Sequence, residues 1–268
     1  MKTIPVLLIV LLGTLFTSCD NNDDPTTEET NPRKTIAANN SEDDYFQVEL
    51  MADGPLYVGY NKLYLAVKET TSDEPVPMAA ITFHPLMNMM DMSHAAPVED
   101  PDEYPGDDGY FEGAVVFTMP DNADEKWTLA VAVEADGVKD TVNFDLSVAS
   151  PEGARLVSVV SPLDGTSYFI SLLEPSDPVV GINDIEFTVH EKENMMSFPP
   201  VGDVTLSIEP EMPSMGHGSP NNVDPVDQGN GHYLGKVNFT MTGWWRINLV
   251  VTEGSETISD ELYFDVTF

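Results

Sequence analysis

Gly59-Tyr60-Asn61-Lys62-Leu63-Tyr64-Leu65-Ala66-Val67-Lys68-Glu69 is matched 122 residues later by Gly181-Ile182-Asn183-Asp184-Ile185-Glu186-Phe187-Thr188-Val189-His190-Glu191. In both segments apolar residues alternate with polar ones, as at Leu63, Leu65 and Val67. Alternation with a period of two is typical of a half-buried β-strand. Similar runs recur along the chain, and no stretch has a convincing helical period. The sequence therefore predicts an all-β protein.

Further matches in the same order show that the whole domain is duplicated. Phe117-Thr118-Met119 corresponds to Phe239-Thr240-Met241, and Tyr110 is matched with Tyr233. A repeated order at a nearly constant offset indicates two copies of one unit. Each copy has roughly 100 residues, which is enough for one hydrophobic core. We therefore predict two tandem immunoglobulin-like antiparallel β-sandwiches, at residues 45–149 and 155–268.

The N-terminal residues predict export and anchoring. Residues 1–18 are a short apolar segment ending in small residues, and they resemble a bacterial lipoprotein signal peptide in which Cys19 is lipidated. An ordinary signal peptide with a chance cysteine is the alternative. Residues 19–44 are polar and acidic, which predicts a flexible tether. Acidic residues directly after the cysteine resemble the export signal of surface lipoproteins, so we expect an outer-membrane anchor with a periplasmic or surface-exposed protein.

The charge and the cysteine count limit the possible ligands. The chain has 268 residues and a formal net charge of −35, which disfavours binding to nucleic acid. Its single cysteine is the predicted lipidation site. A site for a soft metal ion would therefore have to use methionine and histidine.

Two short segments share the pattern Met-x-x-Met-x-His. They are Met89-Met90-Asp91-Met92-Ser93-His94 and Met212-Pro213-Ser214-Met215-Gly216-His217, each expected in a loop after a strand. Thioether and imidazole suit Cu(I), whereas calcium and magnesium prefer oxygen and zinc usually takes Cys, His or carboxylate. We predict a Cu(I) cofactor held by two ligand sets, with secondary contributions in the first copy: Met89, Met92 and His94; Met212, Met215 and His217; and His84 and Met87.

Packing is the alternative explanation of these methionines. A flexible thioether often fills gaps at the end of a sandwich, and the histidines would then simply be solvated. Met119 and Met241 each lie two residues after a phenylalanine, Phe117 or Phe239, and alternate residues of a strand face the same side. We therefore assign both methionines to the core and not to a metal site. His190 with Met195 and Met196 is a weaker candidate for extending the second site.

Three segments of the second copy together resemble the YtkA-like domain. They are Met212-Pro213-x-Met215-Gly216-His217-Gly218, Gly231-His232-Tyr233, and Val237-x-Phe239-x-Met241-x-Gly243-x-Trp245. The resemblance covers most of residues 155–268 and, more loosely, residues 45–149. It implies a small extracytoplasmic β-sandwich, related in pattern to the FixH family and associated with copper handling.

The leading functional hypothesis is a lipid-anchored copper-binding or copper-delivery protein that serves a copper-handling protein of the cell envelope. The competing hypothesis is a non-metal surface or spacer module of tandem domains that contacts protein or glycan. We do not expect an enzyme, because the chain has no Gly-x-Ser-x-Gly, His-Glu-x-x-His or phosphate-loop motif.

Overall fold

A computed structural model describes residues 33–268. These residues form eighteen β-strands and no helix, which confirms the all-β prediction. No helix long and apolar enough to cross a membrane is therefore found in this part of the chain.

The first sandwich contains nine strands: β1 (Lys34–Asn40), β2 (Phe46–Ala52), β3 (Gly59–Glu69), β4 (Ala80–Asn88), β5 (Ser93–His94), β6 (Val98–Glu99), β7 (Phe111–Phe117), β8 (Lys126–Ala135) and β9 (Val138–Leu146). One sheet has the order β1-β2-β3-β7-β6, and the other has the order β5-β4-β8-β9. All strand pairs are antiparallel.

The second sandwich repeats this plan with nine further strands: β10 (Leu156–Val160), β11 (Ser167–Glu174), β12 (Gly181–Glu191), β13 (Val204–Met212), β14 (His217–Gly218), β15 (Val223–Gly229), β16 (His232–Phe239), β17 (Trp244–Glu253) and β18 (Glu256–Thr267). Its sheets have the orders β10-β11-β12-β16-β15 and β14-β13-β17-β18. The two tandem antiparallel sandwiches are those predicted from the sequence.

The alternating strand residues fill one core in each sandwich. In the first core the fully buried side chains include Leu63, Leu65 and Trp127, and in the second they include Phe187 and Trp245. Burial of such side chains from both sheets is the main favourable contribution to folding. The two buried tryptophans lie near the end of each sandwich where the Met-x-x-Met-x-His segments are found.

Strand register defines which residues of the two copies are equivalent. Gly59 pairs with Phe117, and Gly181 pairs with Phe239, which gives an offset of 122 on both strands. The same offset makes Tyr233 equivalent to Phe111 and makes His232 equivalent to Tyr110. The predicted match of Tyr110 with Tyr233 is therefore wrong by one residue. Tyr110 and Phe111 are both aromatic, so the sequence alone does not show which of them corresponds to Tyr233.

The predicted tether extends too far into the fold. Residues 34–40 form β1, which pairs along its length with β2, and Ile36 and Ala37 pack against the first core. A polar edge strand is stabilised mainly by backbone hydrogen bonds, which hydropathy does not register. The predicted signal peptide, Cys19 and the rest of the tether up to residue 32 lie outside the described residues.

Candidate metal centre

Both Met-x-x-Met-x-His segments are tight hairpins and not open loops. Met87 is paired with His94 between β4 and β5, and Met212 is paired with His217 between β13 and β14. In the second hairpin the carbonyl of Met212 accepts hydrogen bonds from the backbone N–H groups of Met215 and Gly216, at 3.0 and 2.9 Å. The sequence predicted loops at these positions because prolines lie near the ends of β4 and β13.

Prolines are tolerated in these two strands because of their position. Pro85 pairs with Leu129, and Pro210 pairs with Ile247. The strands β5 and β14 cover only two residues each, so most of β4 and β13 lies at a sheet edge. A proline at an edge removes no hydrogen bond that the sheet needs. The strands therefore continue past the prolines to Met87 and Met212.

The register makes Met87, and not Met89, the structural equivalent of Met212. Met87 lies opposite Trp127, and Met212 follows in register to lie opposite Trp245. Six residues separate Met87 from His94, whereas four separate Met212 from His217. The first turn is two residues longer. The residue five positions before His94 is therefore Met89, which belongs to the turn, whereas the residue five positions before His217 is Met212, which belongs to β13.

The predicted ligands occupy very different environments. Met87 and Met212 are buried in the two cores, and Met89 packs partly buried against the first core. Met92 and Met215 are exposed. His94 is nearly buried, whereas His84 and His217 are exposed. The structure therefore pairs Met87, a secondary candidate, with His94 and pairs Met212 with His217, and it leaves Met92 and Met215 exposed.

In the first copy a further methionine approaches the histidine. The sulfur of Met119 lies 3.3 Å from Nε2 of His94. Nδ1 of His94 is 2.8 Å from the carbonyl oxygen of Ala95, and because a carbonyl only accepts, Nδ1 must donate. The neutral ring then has its lone pair on Nε2, and this lone pair faces the thioether sulfur. We call Met87, His94, Met119 and Trp127 the first Met/His cluster.

Trp127 fixes the geometry of this cluster. Its indole Nε1–H donates to the carbonyl of Met119 at 2.9 Å, and its ring packs edge-on against His94 with centroids 5.4 Å apart. The assignment of Met119 to the core is correct only in part. The side chain packs half-buried against the core, but its sulfur faces His94. A methionine at the end of a strand in both copies was the available sequence signal.

The second copy repeats the histidine–carbonyl, tryptophan–carbonyl and histidine–tryptophan contacts of the first. Nδ1 of His217 donates to the carbonyl of Gly218 at 3.0 Å, and Nε1 of Trp245 donates to the carbonyl of Met241 at 2.9 Å. His217 packs edge-on against Trp245 at 6.0 Å. Met212, His217, Met241 and Trp245 form the second Met/His cluster. Met241 is 40% exposed, so its assignment to the core is wrong.

Other groups do not join these clusters. Within residues 33–268, no three His, Cys, Asp or Glu side chains are arranged to hold a metal ion. Met195 and Met196 do not extend the second cluster as predicted. The carbonyl of Met195 instead accepts a hydrogen bond from the backbone of Ala95 in the first sandwich, at 2.8 Å.

The second cluster lies in a segment with a family match. Residues 164–250 match the YtkA-like family model. This YtkA-like segment falls within the predicted span of 155–268 and contains all four members of the second Met/His cluster. No curated protein matches the chain.

Three solved structures are similar to most of this chain at low identity. Domains 5–6 of the S-layer protein SbsC are 10% identical, with 88% of this chain and 98% of that chain covered and a TM-score of 0.31. Invasin, a bacterial integrin-binding protein, is 12% identical, with coverage of 83% and 39% and a TM-score of 0.26. A chimeric titin Z1Z2 tandem is 11% identical, with coverage of 87% and 96% and a TM-score of 0.21.

Proposed function

We propose that the protein binds Cu(I) at the two Met/His clusters and carries it as cargo, without catalysing a reaction. The observation that carries this proposal is the 3.3 Å separation of His94 Nε2 and Met119 Sδ. With Nδ1 donating to a carbonyl, two electron-pair donors face each other with no proton between them in the neutral ring. A soft cation would satisfy both of them.

The donor chemistry fits Cu(I). A separation of 3.3 Å is compatible with two ligands on one ion, since nitrogen and sulfur bonds to metals such as zinc are about 2.0 to 2.3 Å long. Thioether sulfur selects Cu(I) over hard ions. Metal-binding histidines usually donate their other ring N–H to a carbonyl or carboxylate, and His94 and His217 both do so. We therefore propose Met119 as a ligand beside His94 in the first cluster and, from its equivalent position, Met241 as a ligand in the second.

The location belongs to the same proposal. The signal-like residues 1–18, followed by Cys19 and an acidic segment, support a lipid anchor in the cell envelope. The YtkA-like match is compatible with an extracytoplasmic domain. The partner we propose is a copper-handling envelope protein that exchanges Cu(I) with the exposed second cluster.

Titration of the full chain with Cu(I) or Ag(I) under reducing conditions tests this function. We expect about two equivalents to bind, one to each cluster, and His94→Ala or His217→Ala each to remove one of them. The matched control is His84→Ala, which removes an exposed histidine of β4 outside the clusters and should leave both. Equal binding by the wild type and the double variant His94→Ala/His217→Ala would refute the proposal.

A non-metal surface or spacer module is the second candidate. The observation that favours it is the burial of Met87 and Met212 in the two cores, where a thioether fills space without any ligand. Under this alternative, replacing the cluster methionines with leucine would change only the melting temperature. Contacts to protein or glycan would then be made by exposed loops such as residues 213–216.

A further inference from the structure

The two sandwiches meet through a small apolar contact. Tyr60, Ala114 and Val116 of the first sandwich pack with Leu156 and Leu173, which begin the second. Relative motion is the default for two domains unless the interface between them is large and hydrophobic, and this apolar contact is small. Whatever charged groups cross this interface therefore have a strong influence on how the two sandwiches are held.

One imidazole lies between carboxylates from both sandwiches. Nε2 of His232 is 2.8 Å from Glu99 of the first sandwich, and its Nδ1 is 2.7 Å from Glu186 of the second. The hydroxyl of Tyr60 donates to the other oxygen of Glu99 at 2.8 Å. All four side chains are largely buried, with none more than 29% exposed.

This geometry specifies the protonation state of His232. An ionised carboxylate can only accept hydrogen bonds, so both ring nitrogens must donate. Only the imidazolium form has two N–H groups. Charge-assisted hydrogen bonds of this type are shorter and stronger than neutral ones. His232 therefore carries a positive charge that is shared between a carboxylate on each sandwich.

The electrostatic environment agrees with the geometry. The hydrogen bonds that His232 donates to Glu186 and Glu99 raise its pKa to about 9, against the opposing effect of burial. Burial tends to raise the pKa of Glu99, but the hydrogen bonds with His232 and Tyr60 outweigh it and lower that pKa. The pKa of Tyr60 is raised, mainly by burial and by Glu99, so its hydroxyl stays protonated as a donor.

The remaining groups around His232 do not supply a competing positive charge. A cavity of about 350 Å³ between the sandwiches is lined by Glu99, Asp100, His190 and His232. Burial lowers the pKa of His190 to about 4, so this imidazole is neutral, and its buried Nδ1 has no hydrogen-bond partner. On the neighbouring strand β15, the residue paired with His232 is Gly229, which has no charge.

We propose that protonated His232 is a charged latch, bridging Glu99 and Glu186, that holds the two sandwiches together beside the cavity that it lines with His190. Loss of one proton leaves one ring nitrogen facing a carboxylate without a donor. The lone pair of that nitrogen and those of the carboxylate oxygen then repel each other, which weakens the contact to one sandwich. The latch therefore opens as pH rises through the titration of His232, and this inference does not depend on metal binding.

The test uses NMR on the full chain with labelled histidine, in buffer that contains a metal chelator. We expect His232 to titrate near pH 9, well above the ordinary value of 6.5. In Glu99→Gln the midpoint should fall by about one unit or more, because a neutral amide no longer stabilises the imidazolium. The exposed His217 ring in the same spectra is the internal control, since it should not respond to Glu99→Gln.

A second readout reports on the interface itself. The backbone N–H of Ala95 donates to the carbonyl of Met195 across the two sandwiches. At pH 7, His232→Gln should reduce hydrogen-exchange protection of the Ala95 amide by about tenfold or more, while core amides such as Leu65 keep theirs. An ordinary His232 titration near 6.5, or unchanged Ala95 protection in His232→Gln, would overturn the latch.

Discussion

In both Met/His clusters, the hydrogen bond made by one ring nitrogen of histidine determines what the other nitrogen can do. His94 and His217 each donate from Nδ1 to the carbonyl of the following residue, so Nε2 is the free donor of an electron pair. In the first cluster that nitrogen faces the sulfur of Met119, which the alternation of strand residues predicted to be only a core residue. The position of the Met119 sulfur relative to Nε2 of His94 therefore decides whether Met119 is a candidate ligand or only a packing residue.

Met119→Leu tests this role with little structural disturbance. Leucine has a similar volume, and such exchanges usually cost less than about 1.5 kcal/mol of stability. We expect the melting temperature to change by a few degrees at most and Ag(I) affinity at the first cluster to fall about tenfold or more, since a soft ligand is lost. Met90→Leu changes a turn methionine that is 86% exposed, and it should alter neither quantity. Equal Ag(I) affinity for Met119→Leu and the wild type would remove Met119 from the ligand set.

Gly243 is the residue on which the packing of Met212 depends. Its φ is +131°, and a Cβ atom there would lie 2.9 Å from the terminal methyl of Met212. Gly243→Ala should destabilise the fold by about 2 to 4 kcal/mol, because strain and overpacking add. Gly181→Ala, with a similar φ of +118° but open space, has the strain without the overpacking and should cost only about 1 to 2 kcal/mol. Urea unfolding of both variants measures the difference, and equal costs would contradict the role of Met212.

At the scale of the strands, an asparagine fixes the start of β3 and β12 in the same way. Asn61 accepts from the backbone of Tyr57 at 3.0 Å and donates to the carbonyls of Tyr57 and Gly59. Asn183 makes the same three bonds with Val179 and Gly181. Both asparagines are buried. The loop before each of these strands is therefore held to the strand by one side-chain amide.

Asn183→Ala should cost about 1 to 3 kcal/mol, because it leaves buried backbone groups without partners. Asn183→Asp keeps an acceptor for the Val179 amide but places a carboxylate against two carbonyls, so it should restore none of this stability at neutral pH. The unfolding midpoint in urea measures both effects. Asn39→Ala, which removes one exposed hydrogen bond to the carbonyl of Asn143, is the control and should cost clearly less. A cost for Asn183→Ala no larger than that of Asn39→Ala would show that the amide does not hold the loop.

At the scale of the whole molecule, duplication has produced two clusters that differ in access to solvent. His94 is nearly buried in the first cluster, whereas in the second His217 is exposed and Met241 is 40% exposed. If both bind Cu(I), release to a competing chelator should be about tenfold or more faster from the second cluster, since affinity and residence differences arise mostly in dissociation. Stopped-flow release from His94→Ala and His217→Ala gives each rate separately. Equal rates would show that burial does not control exchange.

The His232 latch also predicts how stability depends on pH. Its pKa in the fold, about 9, exceeds the ordinary value of 6.5. A raised pKa contributes stability that is fully present below pH 6.5 and is lost as pH rises through 9. Since the side chain is only 20% exposed, we expect a contribution of about 1 to 3 kcal/mol. The stability difference between the wild type and His232→Gln should therefore shrink between pH 6.5 and 9.5, and a constant difference would contradict this assignment.

Much of the fold was predictable from the sequence because it depends on local patterns. Alternation at Leu63, Leu65 and Val67 specifies a strand with one buried face, and its repetition at Ile185, Phe187 and Val189 specifies a second domain of the same kind. These patterns involve neighbours along the chain, so a sequence reveals them directly. The polar composition of residues 34–40 gave the wrong structure for β1, because pairing with β2 is not a property of that segment alone.

The sequence by itself determined the duplication, the all-β class, and the presence of methionine and histidine at the same end of each sandwich. Only the tertiary structure decided which methionine accompanies which histidine. The first turn is two residues longer, so Met87 and not Met89 pairs with His94, and Met119 reaches His94 from the segment that follows β7. Only the structure placed His232 between Glu99 and Glu186, which lie far apart along the chain. Contacts of this kind depend on register and on domain packing, and neither is encoded in the spacing of residues within a motif.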